Sequence, residues 1–154
     1  MDSLDETEAR QILSERHYCD DAEADDWKLL DKPQGAFNFE QGLVTDSGKG
    51  TGLVVQLNFY RSSDTGLITL KMSVFRHMKK QPKARVYQLQ ITTKSYNPDN
   101  WHDQAHEHLG DARNPVPEWK SWRTFHDVFA FFCQRTNIEF RPALEDPEQL
   151  RLQP

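Results

Sequence analysis

Three histidines stand close together in the run His102-Asp-Gln-Ala-His106-Glu-His108. If this run is an extended strand, His106 and His108 form a pair, because residues two apart in a strand share a face. If it is a helix, His102 and His106 form the pair instead, because residues four apart lie on one side of a helix. Either conformation brings two imidazoles together, and imidazoles titrate near neutral pH and bind metals.

Two kinds of chemistry use such a pair, and the residues leave both open. In the first, one imidazole takes a proton from a ribose hydroxyl and the other protonates the leaving oxygen, which cleaves RNA. In the second, His106 and His108 hold a divalent metal such as zinc, and a metal-bound water attacks the substrate. The third ligand of that metal would be Asp99, Asp103, Glu107 or His102.

The candidate catalytic residues are therefore His102, His106 and His108, and the candidate metal ligands are His106 and His108. A plainer interpretation stands beside them. A short His-x-His motif is common in proteins, and these histidines can equally be surface or hydrogen-bonded loop residues without a catalytic role.

A second group of residues could hold a nucleic acid. Between residues 67 and 96 the chain contains no aspartate or glutamate, and basic residues crowd the tip of a predicted hairpin. Such a hairpin can follow a phosphate backbone while aromatic rings stack on unpaired bases. The candidate nucleic-acid contacts are Arg76, Lys79, Lys80, Lys83 and Arg85, and the candidate rings are Tyr87, Tyr96 and Trp101. The alternative is a charged sheet edge that blocks aggregation between strands.

The strands that must position these groups are predicted from alternation of apolar and polar residues. This alternation runs through residues 53–60, 68–74 and 85–93, and it also surrounds Phe37 and Phe39. The connectors between these segments are short and rich in turn-forming residues. Consecutive strands joined in this way pair antiparallel, so we predict a β-meander.

Two helices are predicted at the ends of this meander. Residues 5–16 have apolar positions at helical spacing, with Ser3 and Glu6 as a capping box. Residues 124–136 form a Phe-rich amphipathic helix, with Ser121 or Thr124 as the N-cap. The predicted fold is α+β: an antiparallel meander of about four to six strands, with the N-terminal and the C-terminal helix packed on one face.

The length of 154 residues suits a single domain over 1–154. We divide it into an acidic N-terminal helical arm (1–31), an α+β core (36–140) and a flexible tail (145–154). No apolar run is long enough to cross a membrane and the N-terminus lacks the features of a signal peptide, so we expect a soluble, cytoplasmic protein without a membrane partner.

Several functional classes are excluded by missing motifs. Two distant cysteines, Cys19 and Cys133, provide neither a disulfide framework nor a cysteine zinc site. The chain contains no nucleophile elbow of serine hydrolases, no phosphate-binding P-loop, no dinucleotide-binding glycine motif and no kinase signature. The candidate chemistry therefore depends on the histidines and the basic hairpin.

Charge is distributed unevenly along the chain. Residues 1–31 contain eleven acidic and three basic residues, whereas residues 32–144 contain fifteen basic and ten acidic residues. A basic body suits an anionic partner such as RNA or another nucleic acid, and an acidic arm can contact a basic protein partner. The plainer interpretation of the arm is a solvated, charged helix that aids solubility.

The order of several short motifs resembles a family of small uncharacterised bacterial proteins, which occur often in phage and mobile-element neighbourhoods. The motifs are Phe59-Tyr-Arg61, Asn97-Pro-Asp-Asn100, His106-Glu-His108, Phe132-Cys133 and Asn137-Ile138. Family members carry an Asn-Pro-Asp-Gly loop, a His-x-His strand and a Phe-rich C-terminal helix. This chain departs from that pattern at Asn100, where the family usually has glycine, and after His108, where the family usually has an aromatic residue. The resemblance implies a layout and a genomic setting, and no reaction.

Two hypotheses of function follow from these observations. The first is a small nucleic-acid-acting protein, such as a toxin-like ribonuclease of a toxin–antitoxin system, that uses the clustered histidines and the basic hairpin. The second is a non-catalytic, protein-binding accessory factor of phage or defence systems, which the overall negative charge favours. The sequence leaves open whether a reaction occurs, which cofactor is used and what the oligomeric state is.

Overall fold

A computed structural model describes residues 2–22, 26–32, 34–93 and 105–150. Within these ranges the chain forms ten strands and three α-helices. The strands are β1 (Asp2–Ser3), β2 (His17–Asp20), β3 (Lys28–Asp31), β4 (Gln34–Val44), β5 (Gly50–Arg61), β6 (Ile68–Arg76), β7 (Ala84–Thr93), β8 (His106–Leu109), β9 (Ala112–Pro115) and β10 (Ile138–Arg141). The helices are α1 (Glu6–Leu13), α2 (Phe125–Thr136) and α3 (Pro147–Leu150), and a 3-10 helix covers Pro117–Ser121.

The strands form one mixed sheet in the order β10-β2-β4-β5-β6-β7-β8-β9, with β1 beside β7 and β3 beside β4. The α+β class is confirmed, but the prediction of a purely antiparallel sheet of four to six strands is wrong. Strands β4 to β9 do form an antiparallel meander, whereas β1 pairs with β7 and β10 pairs with β2 in parallel. The strands missing from the prediction are two to four residues long, too short to show alternation.

The N-terminal segment also differs from the predicted helical arm. Residues 2–31 contribute three strands to the sheet in addition to α1. The helix begins at Glu6 with Asp5, not Ser3, as its N-cap, and the Asp5 side chain accepts a hydrogen bond from the Glu8 N–H. Ala9 and Leu13 of this helix are buried in the same core cluster as the central strands.

The two faces of the sheet have different compositions. The inner face is apolar and is covered by α1 and α2; one row of cross-strand neighbours on it joins Leu57, Met72 and Leu89. The outer face is polar, and the matching row on it joins Asn58, Lys71 and Gln90. This division follows from strand geometry, because successive side chains point to opposite faces.

Helix α2 agrees with the sequence prediction, and of the two candidate N-caps the structure uses Thr124. The Thr124 hydroxyl accepts a hydrogen bond from the Asp127 N–H, and the Asp127 carboxylate accepts one from the Thr124 N–H. Asn137 ends the helix in the left-handed conformation, with φ of 58°. The buried side of α2 packs on the inner face, where the rings of Phe132 and Tyr87 are 5.9 Å apart. Within the described ranges, no helix combines the length and apolar character needed to span a membrane.

A tight turn at Gly110 fixes the hairpin of β8 and β9. Gly110 has φ of 58°, and its N–H donates to the Val86 carbonyl over 2.7 Å. A β-carbon there would lie 2.6 Å from the Leu4 carbonyl oxygen and 2.7 Å from that of Asp5. Only glycine fits, because both the backbone conformation and the close approach of the N-terminal segment exclude a side chain. His106 and His108 are thereby held in register against β7.

Candidate functional site

Strand β8 presents alternate side chains to opposite faces of the sheet. Glu107 pairs with Leu89 and lies on the inner face, where it is 4% exposed. His106 pairs with Gln90 and His108 with Gln88, so both imidazoles lie on the outer face, half-buried. Of the two conformations considered for the histidine run, residues 106–108 adopt the strand. The centroids of the His106 and His108 rings are 5.2 Å apart, and the angle between the ring planes is 85°.

Basic side chains surround this pair on the outer face. Arg113 of β9 is the cross-strand neighbour of His108, and Lys71 of β6 is joined through Gln90 to His106. Arg85 of β7 is close enough to His108 to lower the pKa of its imidazole. We refer to the five residues Lys71, Arg85, His106, His108 and Arg113 as the outer-face cluster.

The electrostatics of the outer-face cluster favour an anion. Burial, followed by the positive charges of Arg85 and its neighbours, lowers the pKa of His108 to about 4, so its imidazole is neutral at pH 7. No carboxylate in the described part of the chain forms an ion pair with Lys71, Arg85 or Arg113. Cations that no described carboxylate pairs with, placed around a neutral imidazole, attract a negatively charged ligand and repel a divalent cation.

Arg85 has the most unusual environment in the cluster. Burial lowers the pKa of its guanidinium, and its Nε is the one buried side-chain nitrogen or oxygen of the described residues that lacks a hydrogen-bond partner. Its Nη1 donates to the Gln88 amide oxygen over 3.4 Å, and the Gln88 amide donates to the Ser73 hydroxyl over 3.0 Å. A buried donor without an acceptor is costly for the free protein, and a phosphate oxygen would satisfy it.

The remaining members of the predicted basic hairpin do not join this cluster. Arg76 donates to Glu8 of α1 over 2.7 Å. Lys83 lies 3.6 Å from Glu40 and over the ring of Phe75, 4.3 Å from its centroid. Lys79 and Lys80 are exposed in the turn between β6 and β7. Of the five candidate nucleic-acid contacts, Arg85 is the one that lies beside His108.

Other candidates have different outcomes. His102, Tyr96 and Trp101 lie outside the described residues, as do the possible metal ligands Asp99 and Asp103. The ring of Tyr87 faces the core and is fully buried, so the prediction that it stacks on a base is wrong. Among the residues that the structure describes, no group of three or more histidine, cysteine, aspartate or glutamate side chains could hold a metal ion.

A polar cleft on the inner face was not predicted as a site. Its volume is about 400 Å³, and it lies between α1, α2 and strands β7 to β9. The Glu107 carboxylate lines it and accepts hydrogen bonds from the Tyr87 hydroxyl (2.6 Å) and from Nε of Arg135 (3.0 Å). The other lining residues are Arg10, Leu13, Ser14, Leu109, Asn114 and Pro115. We refer to this region as the inner-face cleft.

In the sequence, Glu107 is a candidate metal ligand and nothing more. One signal was present, because the residue between two same-face histidines in a strand must point the other way. Its partners could not be found in this way, since Tyr87 and Arg135 are 20 and 28 residues distant in the chain. The contact between Glu107 and Arg135 arises from the packing of α2 on the sheet.

Several acidic side chains of the N-terminal segment pair within the chain. Glu6 pairs with Arg10 over 2.8 Å, Glu8 with Arg76 over 2.7 Å, and Asp20 with Arg141. These contacts attach the acidic segment to its own sheet. They reduce the negative charge that this segment can offer to a basic protein partner.

Comparison with other proteins adds no assignment to these two sites. Scans against protein-family models, curated proteins and solved structures gave no match for this chain. Any functional interpretation of the outer-face cluster and the inner-face cleft consequently depends on their own geometry and charge.

Proposed function

We propose that this protein binds single-stranded RNA on the outer face of its sheet and cleaves it with His106 and His108. One observation carries the proposal: a neutral imidazole and a buried, unsatisfied arginine donor lie together among cations that no described carboxylate neutralises. Such a group of residues fits a phosphodiester better than a metal ion or an apolar ligand.

The rest of the outer face suits an extended, unpaired strand. Its cross-strand rows carry amides and hydroxyls, and one such pair is the Asn38 amide donating to Asn58 over 2.7 Å. Tyr60 is half-buried on the same face, where its ring can stack on a base. Amides can read base edges and a ring can stack on any base, so this surface supports binding with little sequence preference.

The proposed reaction is transfer of the phosphoryl group to the neighbouring ribose hydroxyl. Neutral His108 accepts the proton of the 2′-hydroxyl while its oxygen forms a bond to phosphorus. The bond from phosphorus to the 5′-oxygen breaks, and His106, as the general acid, gives a proton to that oxygen. Arg85 donates to a phosphoryl oxygen and stabilises the charge that develops on it. The products are a 2′,3′-cyclic phosphate and a free 5′-hydroxyl.

Cleavage and binding of a fluorescent, unstructured RNA test this proposal. We expect His106→Gln and His108→Gln each to lower the cleavage rate by about a hundredfold or more. Affinity for a 2′-deoxy analogue should change little in both variants. His126→Gln, at an exposed position on α2, is the matched control and should cleave like the unmodified protein.

Each other outcome contradicts a defined part of the proposal. Equal cleavage by His108→Gln and the unmodified protein would remove the histidine mechanism. Loss of activity in a chelator, together with stoichiometric zinc that disappears in His106→Gln, would replace it with the metal mechanism. If the purified protein neither binds nor cleaves RNA but forms a stable complex with another protein, the accessory-factor hypothesis replaces both.

A further inference from the structure

The inner-face cleft contains a buried carboxylate that is only half satisfied. Both donors, the Tyr87 hydroxyl and Nε of Arg135, point to the same atom, Oε2 of Glu107. No described group donates a hydrogen bond to Oε1 of Glu107. This oxygen is also not fully buried, because Nε of Arg85 is the one fully buried polar side-chain atom of the described residues that lacks a partner. Since Glu107 lines the cleft, Oε1 can be reached from it. A carboxylate oxygen that is held rigidly and faces a cavity is an acceptor for a ligand.

The charges of the cleft select for a neutral ligand. Glu107 is paired with Arg135, and Arg10 at the cleft is paired with Glu6 over 2.8 Å. An added cation or anion would leave one charge unbalanced in a partly buried region, which is unfavourable. Burial and the neighbouring Glu107 raise the pKa of Tyr87, so its phenol stays protonated and adds no charge.

The arrangement of donors and acceptors defines the shape of that ligand. Oε1 of Glu107 accepts an N–H, and beside it the terminal nitrogens of Arg135 donate to an oxygen or ring nitrogen. The Asn114 amide is the cross-strand neighbour of Glu107 and also lines the cleft. Leu13, Leu109 and Pro115 provide apolar walls. A donor next to an acceptor on a flat, uncharged molecule is the pattern of a nucleobase edge.

We propose that the inner-face cleft binds a free nucleobase or nucleoside through Glu107 and Arg135. A cavity of about 400 Å³ is large enough for a ligand of this size. The cleft lies on the opposite face from the outer-face cluster, and a nucleoside lacks the phosphate that the cluster is suited to bind. This inference is therefore independent of the proposed RNA cleavage.

Titration calorimetry with guanosine, uridine and adenosine, one at a time, tests the proposal. We expect at least one nucleoside to bind with one-to-one stoichiometry. Glu107→Gln should weaken it at least about tenfold, because the two fixed donors hold the amide oxygen at the position of Oε2 and turn the amide NH2, a donor, toward the ligand. RNA cleavage should stay within about twofold of the unmodified rate in Glu107→Gln, because the histidines lie on the other face.

A second variant keeps the test valid if Glu107→Gln does not fold. Ser14→Trp places a large ring at the exposed end of α1 beside the cleft, does not touch the Glu107 hydrogen bonds, and should also abolish nucleoside binding. His126→Gln, which lies outside the cleft, is the control and should bind normally. The proposal is overturned if no nucleoside binds the unmodified protein at millimolar concentration, or if Ser14→Trp binds as tightly as the control.

Discussion

Strand β8 allows a direct comparison of two environments one residue apart. On the inner face, Glu107 is 4% exposed, and its charge is compensated by Arg135 and hydrogen-bonded by Tyr87. On the outer face, His106 and His108 are half-buried among basic groups that no described carboxylate neutralises. Removing one partner on the inner face would leave a buried charge unpaired, whereas the proposed anion, if it binds, would offset the repulsion among the described cations of the outer face.

The same contrast separates substitutions on the two faces. Removing a partner from the inner network leaves a buried donor without an acceptor and destabilises the fold. Removing a cation from the outer face relieves repulsion and leaves the fold intact, while it weakens ligand binding. A substitution in the turn that holds β8 in place affects both faces, and it is expected to have the largest effect.

Gly110→Ala should destabilise the protein by about 3 kcal/mol or more, because the new β-carbon meets two backbone oxygens in a strained conformation. Urea denaturation measures this loss. RNA cleavage and nucleoside binding should fall together in this variant, since both sites depend on the β8–β9 hairpin. A stable Gly110→Ala protein with only one site impaired would show that the two faces are positioned independently.

Glu107→Leu should cost about 2–3 kcal/mol of stability, because it leaves the buried Tyr87 hydroxyl without an acceptor. Adding Tyr87→Phe in the same chain should recover part of this loss, because the unsatisfied hydroxyl is then gone as well. Thermal unfolding of the two single variants and the double variant measures the coupling. Strictly additive losses would contradict the network.

Lowering the pH should destabilise the protein through His108. The pKa of its imidazole is 6.5 in an ordinary environment and about 4 in the fold, so the unfolded chain binds more protons between these values. The free energy of unfolding that depends on the neutral His108 ring is therefore fully present above pH 6.5 and decreases as the pH falls towards 4. Urea denaturation at pH 7 and pH 4 measures how much unfolding free energy is lost on acidification. After allowance for solvent screening, this loss should be about 1 kcal/mol smaller in His108→Gln than in the unmodified protein. Identical pH profiles would show that His108 is not held neutral.

Arg85→Met should have the smallest effect on stability and the opposite sign. It removes a partly buried guanidinium that has an unpaired Nε and like-charged neighbours, so we expect a gain of about 0.5–1 kcal/mol. Affinity for RNA should fall about tenfold at low salt, because one phosphate contact is lost. The matched control is Lys79→Met, an exposed position away from the cluster. A destabilised Arg85→Met protein would mean that Arg85 has a structural role.

The features predicted correctly from the sequence are those fixed by local interactions. The position of α2 follows from an N-cap residue next to the helix and from apolar spacing along one helix face. The central strands follow from alternation over nine to twelve residues. Strands β1, β2 and β3 could not be predicted in the same way, because short segments gain their structure from the partners beside them.

The candidate site shows the same limit. Spacing alone placed His106 and His108 as a same-face pair, provided that the segment is a strand. It did not show which of the five basic hairpin residues would accompany them. Arg76 and Lys83 pair instead with Glu8 and Glu40, residues distant in the chain. Arg85 and Lys71 have no such partner among the described residues.

The sequence by itself therefore determined which side chains alternate along β8 and which segments form the main strands and helices. Periodicity and capping depend on neighbours within about one helical turn or one strand, so they can be inferred directly from the chain. Only the tertiary structure decided that Glu107 meets Tyr87 and Arg135, and that the cations near His108 lack described carboxylate partners. Whether a charged side chain finds an opposite charge depends on residues that are distant in the chain and are brought together by packing. It therefore cannot be inferred from the residues next to it in the sequence.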